Sequence, residues 1–150
     1  MKACFLRLAL TSALCLAIAP DGSAETAADT VHKWGLIGPW SRDCSRPDDR
    51  NNDTLLAYEI VRDGRVVFRR NLGDTTEESE VVAAEVSGDG MLNLRVFFPG
   101  LRQIRESGLM MQPDGSMRAM YVRSPQGEYT IRDGKFTASG EPTPPLRKCG

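Results

Sequence analysis

The sequence predicts an all-β protein, an antiparallel meander of about eight strands closed into a small barrel. β-rich runs recur from residue 55 onward, and Asp-Gly steps at residues 63, 89, 114 and 133 lie between them. Glycine at such a step accepts the positive φ that tight hairpin turns require. Connections this short join antiparallel neighbours, because parallel strands need a long crossover. No stretch after residue 45 shows a sustained helical period.

The first 24 residues have the layout of a secretory signal peptide. Lys2 and Arg7 form a basic start, an apolar run covers residues 4–19, and small residues lead to a cleavage site near Ala24. The apolar run is short for a membrane anchor, which needs about 20 residues. We therefore predict a periplasmic or secreted protein with a single β-barrel domain over residues 25–150 and no membrane span after cleavage.

Composition argues against several classes of function. The formal net charge is −1 at pH 7, which gives no case for a nucleic-acid partner. His32 is the only histidine, and no Cys/His or Ser/His/Asp set is evident, so we predict neither an enzyme nor a cofactor. Residues 49–53 resemble the opening of a calcium loop. Thr54 stands where a glycine is needed and Ile60 where a glutamate belongs, so we predict a polar loop and no metal site.

The cysteines predict one disulfide bond. Cys4 and Cys15 leave with the signal peptide, which leaves Cys44 and Cys149 in an oxidising compartment where a bridge is the default. The chain-entropy relation gives about 4–5 kcal/mol for a loop of this length. Residues 139–150 contain three prolines. We expect this tail to run extended along the surface, with the bridge as its main tether.

The elements can be placed in order. Residues 25–33 are expected to be a mobile arm with at most one or two helical turns, and residues 34–44 a short plug that leads into a first strand. A polar loop is expected over residues 73–78 and a bulge at Ser107-Gly108. Further strands are predicted over residues 55–61, 66–68, 81–86, 91–98, 102–111, 117–122, 128–131 and 135–136. One buried face per strand favours closure into a barrel, and a β-sandwich is the alternative.

Gly38-Pro39-Trp40, at the entry to the first strand, resembles the Gly-x-Trp opening of lipocalin-like barrels. In that group the tryptophan closes the base of the barrel and a late arginine packs over it, so the resemblance implies Gly38, Trp40 and Arg132 as a barrel-base motif. The Thr-Asp-Tyr step of many lipocalins is missing. A wider pattern is similar to that of a group of small exported bacterial proteins without a settled function, at residues 36–40, 43–44, 133–136 and 148–149.

Two functions remain open at this point. The first is a binding module whose interior holds a small apolar ligand, since eight strands leave room for side chains or one small ligand. Its candidate lining residues are Phe68, Leu94, Phe98, Met110 and Tyr121. The second is a filled barrel that acts through its outer surface, as a protein-interaction or inhibitor protein of the cell envelope. Its candidate contact residues, which we expect to be exposed, are Arg102, Arg105, Arg118 and Arg123.

Overall fold

The computed structural model describes residues 25–45, 55–71 and 75–150. Ten antiparallel strands form one sheet that curls into a half-barrel, and a short helix precedes them. The all-β antiparallel prediction is therefore confirmed, whereas the closed barrel of about eight strands is not. The predicted signal peptide and the calcium-like loop at residues 49–53 lie outside the described residues.

Each strand lies beside its neighbours in sequence, except that the last strand pairs with the first. The elements are α1 (Ala27–Trp34), β1 (Gly38–Ser41), β2 (Leu55–Ile60), β3 (Val66–Asn71), β4 (Thr76–Val86), β5 (Leu92–Phe98), β6 (Gln103–Met111), β7 (Met117–Arg123), β8 (Tyr129–Arg132), β9 (Lys135–Phe136) and β10 (Arg147–Lys148). A single 3-10 turn at Pro99–Leu101 joins β5 to β6. The order along the sheet is β10-β1-β2-β3-β4-β5-β6-β7-β8-β9.

The Asp-Gly steps form hairpin turns, as the sequence predicts. Gly64, Gly90 and Gly115 adopt positive φ angles of 80°, 86° and 79°. Asp133 and Gly134 both have positive φ, 51° and 70°, in the two-residue connection between β8 and β9. Positive φ at both positions is the geometry of a type I′ turn, whose twist matches that of the flanking strands.

The segment expected to be a mobile arm is a docked helix. The Thr26 hydroxyl accepts from the backbone N–H of Asp29 at 3.1 Å, which caps the start of α1. Val31 is fully buried, and the indole of Trp34 donates to the carbonyl oxygen of Gly90 at 3.0 Å. An apolar face on two short turns is thus enough to hold the helix against the sheet. In the described part of the chain, no helix has the length and apolar character needed to cross a bilayer.

Residues that face each other across antiparallel strands point to the same side of the sheet. The side that carries Leu92, Leu94 and Val96 is buried, and we call it the concave face. The core on this face consists of side chains from α1, the plug, seven strands and the tail: Val31, Leu36, Trp40, Tyr58, Val66, Phe68, Val81, Leu92, Leu94, Val96, Leu109, Met117 and Leu146.

Strand β4 begins at Thr76, inside the stretch predicted as a polar loop. Its polar start is paired across the sheet, because Glu77 and Glu78 bond to Arg70 and Arg69 of β3 at 2.8 Å and 2.9 Å. Opposite charges on facing strands stabilise such a pair. These ion pairs therefore stabilise the start of β4, although it lacks the β-branched residues from which a strand is usually predicted.

The tail is part of the sheet, which corrects the expectation of a surface segment tethered mainly by sulfur. Leu146 exchanges two backbone hydrogen bonds of 2.8 Å with Met117, while β10 pairs with β1. Thr143 is buried, and its N–H donates to the carbonyl oxygen of Gly134 at 2.8 Å. The prolines of the tail lack an N–H, and the residues between and after them supply these bonds.

A bulge interrupts the pairing of β6 with β7. Gly108 faces Tyr121 and Leu109 faces Ala119, so Met120 is the extra residue. A bulge was predicted at Ser107-Gly108 of β6. The register does shift next to Gly108, but the extra residue belongs to the partner strand β7. The shift matters because it exchanges the two faces of β7.

Candidate functional site

Three aromatic side chains line one region of the concave face. Tyr58, Phe68 and Phe98 come from β2, β3 and β5, and we call them the aromatic row. The rings of Tyr58 and Phe68 stack with centroids 4.9 Å apart, and Phe98 meets Phe68 edge-on at 6.4 Å. Burial raises the pKa of the Tyr58 hydroxyl, which keeps it protonated and uncharged. The row therefore forms an apolar wall toward the end of the half-barrel where β3 and β5 finish, which we call the distal end.

Ser79 lies within this wall. It faces Phe68 directly, and its strand β4 lies between the strands that carry Phe68 and Phe98. The residue is 2% exposed, and its hydroxyl has no hydrogen-bond partner among the described residues. A buried polar group left unpaired costs about 1–3 kcal/mol. Native proteins pair nearly all such groups, so this hydroxyl requires an explanation.

Arg70 is the next inward-facing residue of β3 after Phe68. Its Nη2 donates to Glu77 Oε2 at 2.8 Å, whereas its Nε is buried and finds no partner among the described residues. The two side chains are only partly covered, 42% and 26% exposed. Among the described residues, the distal end thus holds an ion pair of balanced charge in which the buried Nε–H of Arg70 has no partner.

A second arginine lies on the same face at the start of β6. Arg105 faces Val96, and Gln103 faces Phe98. In the amide orientation that satisfies both groups, the Gln103 oxygen accepts from Arg105 Nε at 2.8 Å and Nη2 at 2.9 Å. Arg105 was expected on the outer surface. The register of β5 with β6 places it inside, where the neighbouring glutamine engages it.

The structure brings three of the five predicted lining residues together. Phe68 and Leu94 are buried in the core, and Phe98 packs against it. Met110 and Tyr121 lie on the opposite, convex face. The Tyr121 hydroxyl donates to Asn93 Oδ1 at 2.8 Å there. Met110 faces outward because it follows the inward-facing Leu109 in β6. Tyr121 faces outward because the bulge at Met120 turns Ala119 inward and Tyr121 outward along β7. Strict alternation from Met117 would have turned Tyr121 inward.

Trp40 of β1 is a buried member of the hydrophobic core. It is 2% exposed, and its indole donates to the carbonyl oxygen of Leu36 at 2.7 Å. The cation over its ring is Lys148, at 5.6 Å, because β10 pairs with β1 and places these residues opposite each other. Arg132, the residue implied by the lipocalin resemblance, lies over Tyr129 at 5.1 Å. The cation that lies over Trp40 is therefore a lysine from the tail and not Arg132.

The predicted disulfide bond is present. Cys44 and Cys149 are joined, with their Cα atoms 5.4 Å apart. The N–H of Cys149 also donates to the carbonyl oxygen of Pro39 at 2.9 Å. Backbone pairing and the bridge therefore hold the same point of the tail against β1.

The convex face carries an open groove of about 820 Å³, which we call the outer groove. Arg102 lies at its edge with a positive φ of 50°, and Arg123 bonds to Glu106 across the strands. Arg118 lies elsewhere, half-buried, and donates to the carbonyl oxygen of Thr143 at 3.1 Å. The outer groove is lined by Arg95, Phe97, Arg102, Gln103, Ile104, Glu106, Arg123, Ser124, Pro125, Gln126 and Gly127.

Comparison with known proteins leaves the function open. No family model matches the chain, and no curated protein or solved structure is similar to it. The resemblance to lipocalin-like barrels and to small exported bacterial proteins therefore stays a prediction. Within the described ranges, no three His, Cys, Asp or Glu side chains come together in a way that could hold a metal ion.

Proposed function

We propose that the protein is a binding module that holds a small, mostly apolar molecule against the aromatic row. The unpaired Ser79 hydroxyl, buried between Phe68 and Phe98, is the observation that carries this proposal. A core that served stability alone would favour alanine here, since an unpaired hydroxyl costs free energy and contributes no contact. A bound molecule with a hydrogen-bonding group removes that cost. Ligand pockets typically combine such an apolar wall with a few polar groups.

Closure of the sheet into a complete barrel belongs to the same proposal. The tail supports it, because Leu146 bonds to β7 while Arg147 and Lys148 pair with β1. Closure removes exposed strand edges and gives a bound molecule a wall on every side. We also propose that the protein works in the periplasm or after secretion. The layout of residues 1–24 and the disulfide bond support this setting.

Native mass spectrometry of the mature protein, isolated from an exporting host, tests the binding function. We expect a mass above that of the chain, and the excess should disappear on denaturation. Phe98→Ala should lower the occupancy, because it removes one wall of the site. Phe97→Ala is the matched control, since Phe97 is the adjacent residue and faces the convex side with 38% exposure. A bare mass for the wild type, with no thermal shift from a panel of apolar molecules, would contradict the proposal.

A second function is favoured by the outer groove. Arg95, Arg102 and Arg123 line it together with one carboxylate, Glu106, so cationic groups are in excess. The ring of Phe97 adds an exposed apolar surface. Arginine and aromatic side chains are common at the centres of protein interfaces. The groove therefore suits an acidic segment of an envelope protein or of a foreign enzyme.

Capture from an envelope extract distinguishes this second function from the first. Arg102→Glu reverses a charge at the groove, and Arg62→Glu makes the same change in the exposed turn after β2. A partner of the groove should be lost with Arg102→Glu and retained with Arg62→Glu. Equal capture by both variants would remove the groove from consideration.

A further inference from the structure

We infer that the bound molecule carries an uncharged oxygen acceptor, as in a ketone or an ester, which bonds to Ser79 and Arg70 at the distal end of the concave face. This inference rests on the proposed binding function and specifies the chemistry of its ligand. Two independent atoms carry it, the Ser79 hydroxyl and Arg70 Nε, because both are buried and neither has a partner among the described residues.

The register of β3 with β4 places Ser79 and Arg70 at diagonal positions on the same face of the sheet. Phe68 faces Ser79, and Arg70 faces Glu77 one inward position further along. Facing residues have Cβ atoms about 4.5–5.5 Å apart, and diagonal ones about 7–8 Å. Arginine is long enough to cover the diagonal. A single oxygen on a ligand can therefore receive a hydrogen bond from both the hydroxyl and the guanidinium.

The types of atom decide what the ligand must offer. Arg70 Nε can only donate, and the serine hydroxyl can donate as well as accept. Two donors that share one ligand atom require an acceptor with two lone pairs, which a carbonyl oxygen provides. A purely apolar molecule would leave these two buried donors unpaired.

The charge balance argues for an oxygen without charge. Glu77 already neutralises Arg70 through a 2.8 Å bond to its Nη2. A ligand carboxylate would have to approach the Glu77 carboxylate, and like charges in a partly desolvated site repel. Arg105, which also faces inward in the described strands, directs Nε and Nη2 to the amide oxygen of Gln103. An uncharged carbonyl meets the donors without the repulsion.

The remainder of the molecule would lie along the aromatic row. Phe98 is partly exposed, whereas Tyr58 and Phe68 are buried behind it. An apolar chain that entered beside Phe98 would contact these rings while its carbonyl stayed near Arg70. The inferred ligand is therefore a small amphiphile with an apolar chain and an uncharged polar end.

Competition against a prebound fluorescent apolar dye tests the inference with the mature protein. The probes are decane, 2-decanone and decanoate, which share one chain length and differ in the polar end. We expect the wild type to prefer 2-decanone over decane by about fivefold, the size expected for one net hydrogen bond. Decanoate should bind more weakly than 2-decanone, because its carboxylate is repelled by Glu77. Ser79→Ala and Arg70→Lys should each remove most of the preference over decane. Lysine keeps a charge for Glu77 but lacks the Nε–H.

Ser116→Ala is the control, because Ser116 is equally buried but its hydroxyl donates to Asp114 Oδ1 at 2.6 Å. It should keep the preference for the ketone and lower the Tm. Ser79→Ala should not lower the Tm of the unliganded protein, because the hydroxyl has no partner to lose among the described residues. An unchanged Tm would also confirm that this variant folds.

The outcomes separate the inference from the proposed function. Equal affinity for decane and 2-decanone in the wild type would overturn the inference and leave apolar binding intact. Tightest binding of decanoate would overturn the charge argument and with it the inference. Failure of the dye and of all three probes to bind would contradict the proposed function itself, and the inference would fall with it.

Discussion

Lys148 places its ammonium nitrogen 5.6 Å from the centre of the Trp40 ring and 3.0 Å from the carbonyl oxygen of Gly35. Gly35 ends α1, and Trp40 lies in β1, so one side chain of β10 joins the helix, the first strand and the tail. A cation over an indole is attracted by the negative face of the ring. Lys148 therefore holds the tail by a hydrogen bond and a cation–π contact, in addition to the backbone pairing of β10 with β1.

Lys148→Met should destabilise the fold by about 1 kcal/mol, because it removes the cation over the ring and the bond to Gly35. Methionine keeps much of the apolar stem. Urea unfolding followed by tryptophan fluorescence measures the change. Lys135→Met, at an exposed position of β9, is the matched control and should leave stability within about 0.5 kcal/mol of the wild type. Equal stability of all three proteins would show that the ring contact contributes nothing.

Loss of the disulfide should lower stability without abolishing the fold. The chain-entropy relation gives about 4–5 kcal/mol for a separation of 105 residues. The Cys44→Ser, Cys149→Ser double variant should lose less than this, because β10 keeps its pairing with β1. Under non-reducing conditions the native protein should be lighter by both thiol hydrogens. Detection of two free thiols in the native protein would contradict the bridge.

Gly108→Ala should be destabilising through a clash with one ring. A Cβ at this position would lie 2.2 Å from Cε1 of Tyr121 and 2.9 Å from Sδ of Met91. The ring would have to move and give up its bond to Asn93, at a cost of about 1–3 kcal/mol. In a Tyr121→Ala background the same change should cost much less. A double-mutant cycle measures this coupling, and additive effects would exclude the contact as the cause.

Acid should weaken the hairpin turns. Asp63, Asp89 and Asp114 have pKa values below the usual 3.8, because each accepts a side-chain hydrogen bond and a backbone N–H bond. Their folded pKa values lie below the unfolded ones, so their contribution is complete above the unfolded pKa. It is lost as the pH falls through the folded values. Triple substitution by asparagine should therefore flatten the decline in stability between about pH 5 and pH 2. An unchanged slope would count against the turns as its source.

The strand plan was predictable because its signals are local. An Asp-Gly step between β-rich runs specifies a hairpin without reference to the rest of the chain, and Gly64, Gly90 and Gly115 take the expected conformation. The disulfide followed from the small number of cysteines, since only Cys44 and Cys149 lie outside the predicted signal peptide. The hairpin prediction needs only a few adjacent residues, and the disulfide prediction needs only the number of cysteines.

The site residues depend on pairing across the sheet. Ser79 lies in a run of polar residues that suggests a loop, and only its register with Phe68 places it inside. Alternation over residues 66, 68 and 70 of β3 is the signal that could have put Arg70 on the same face. Tyr121 was misplaced because one extra residue, Met120, inverts the alternation of β7. Register and bulges are set by tertiary contacts, which a single sequence does not reveal.

The position of β10 between β1 and the start of β7 has a kinetic consequence. Trp40 and Lys148 meet only after both have been synthesised, and contacts between such distant residues slow the search for the native state. Until they meet, β1 exposes an open edge that invites pairing with another chain. Newly synthesised chains should therefore be most prone to aggregation before β10 has paired with β1.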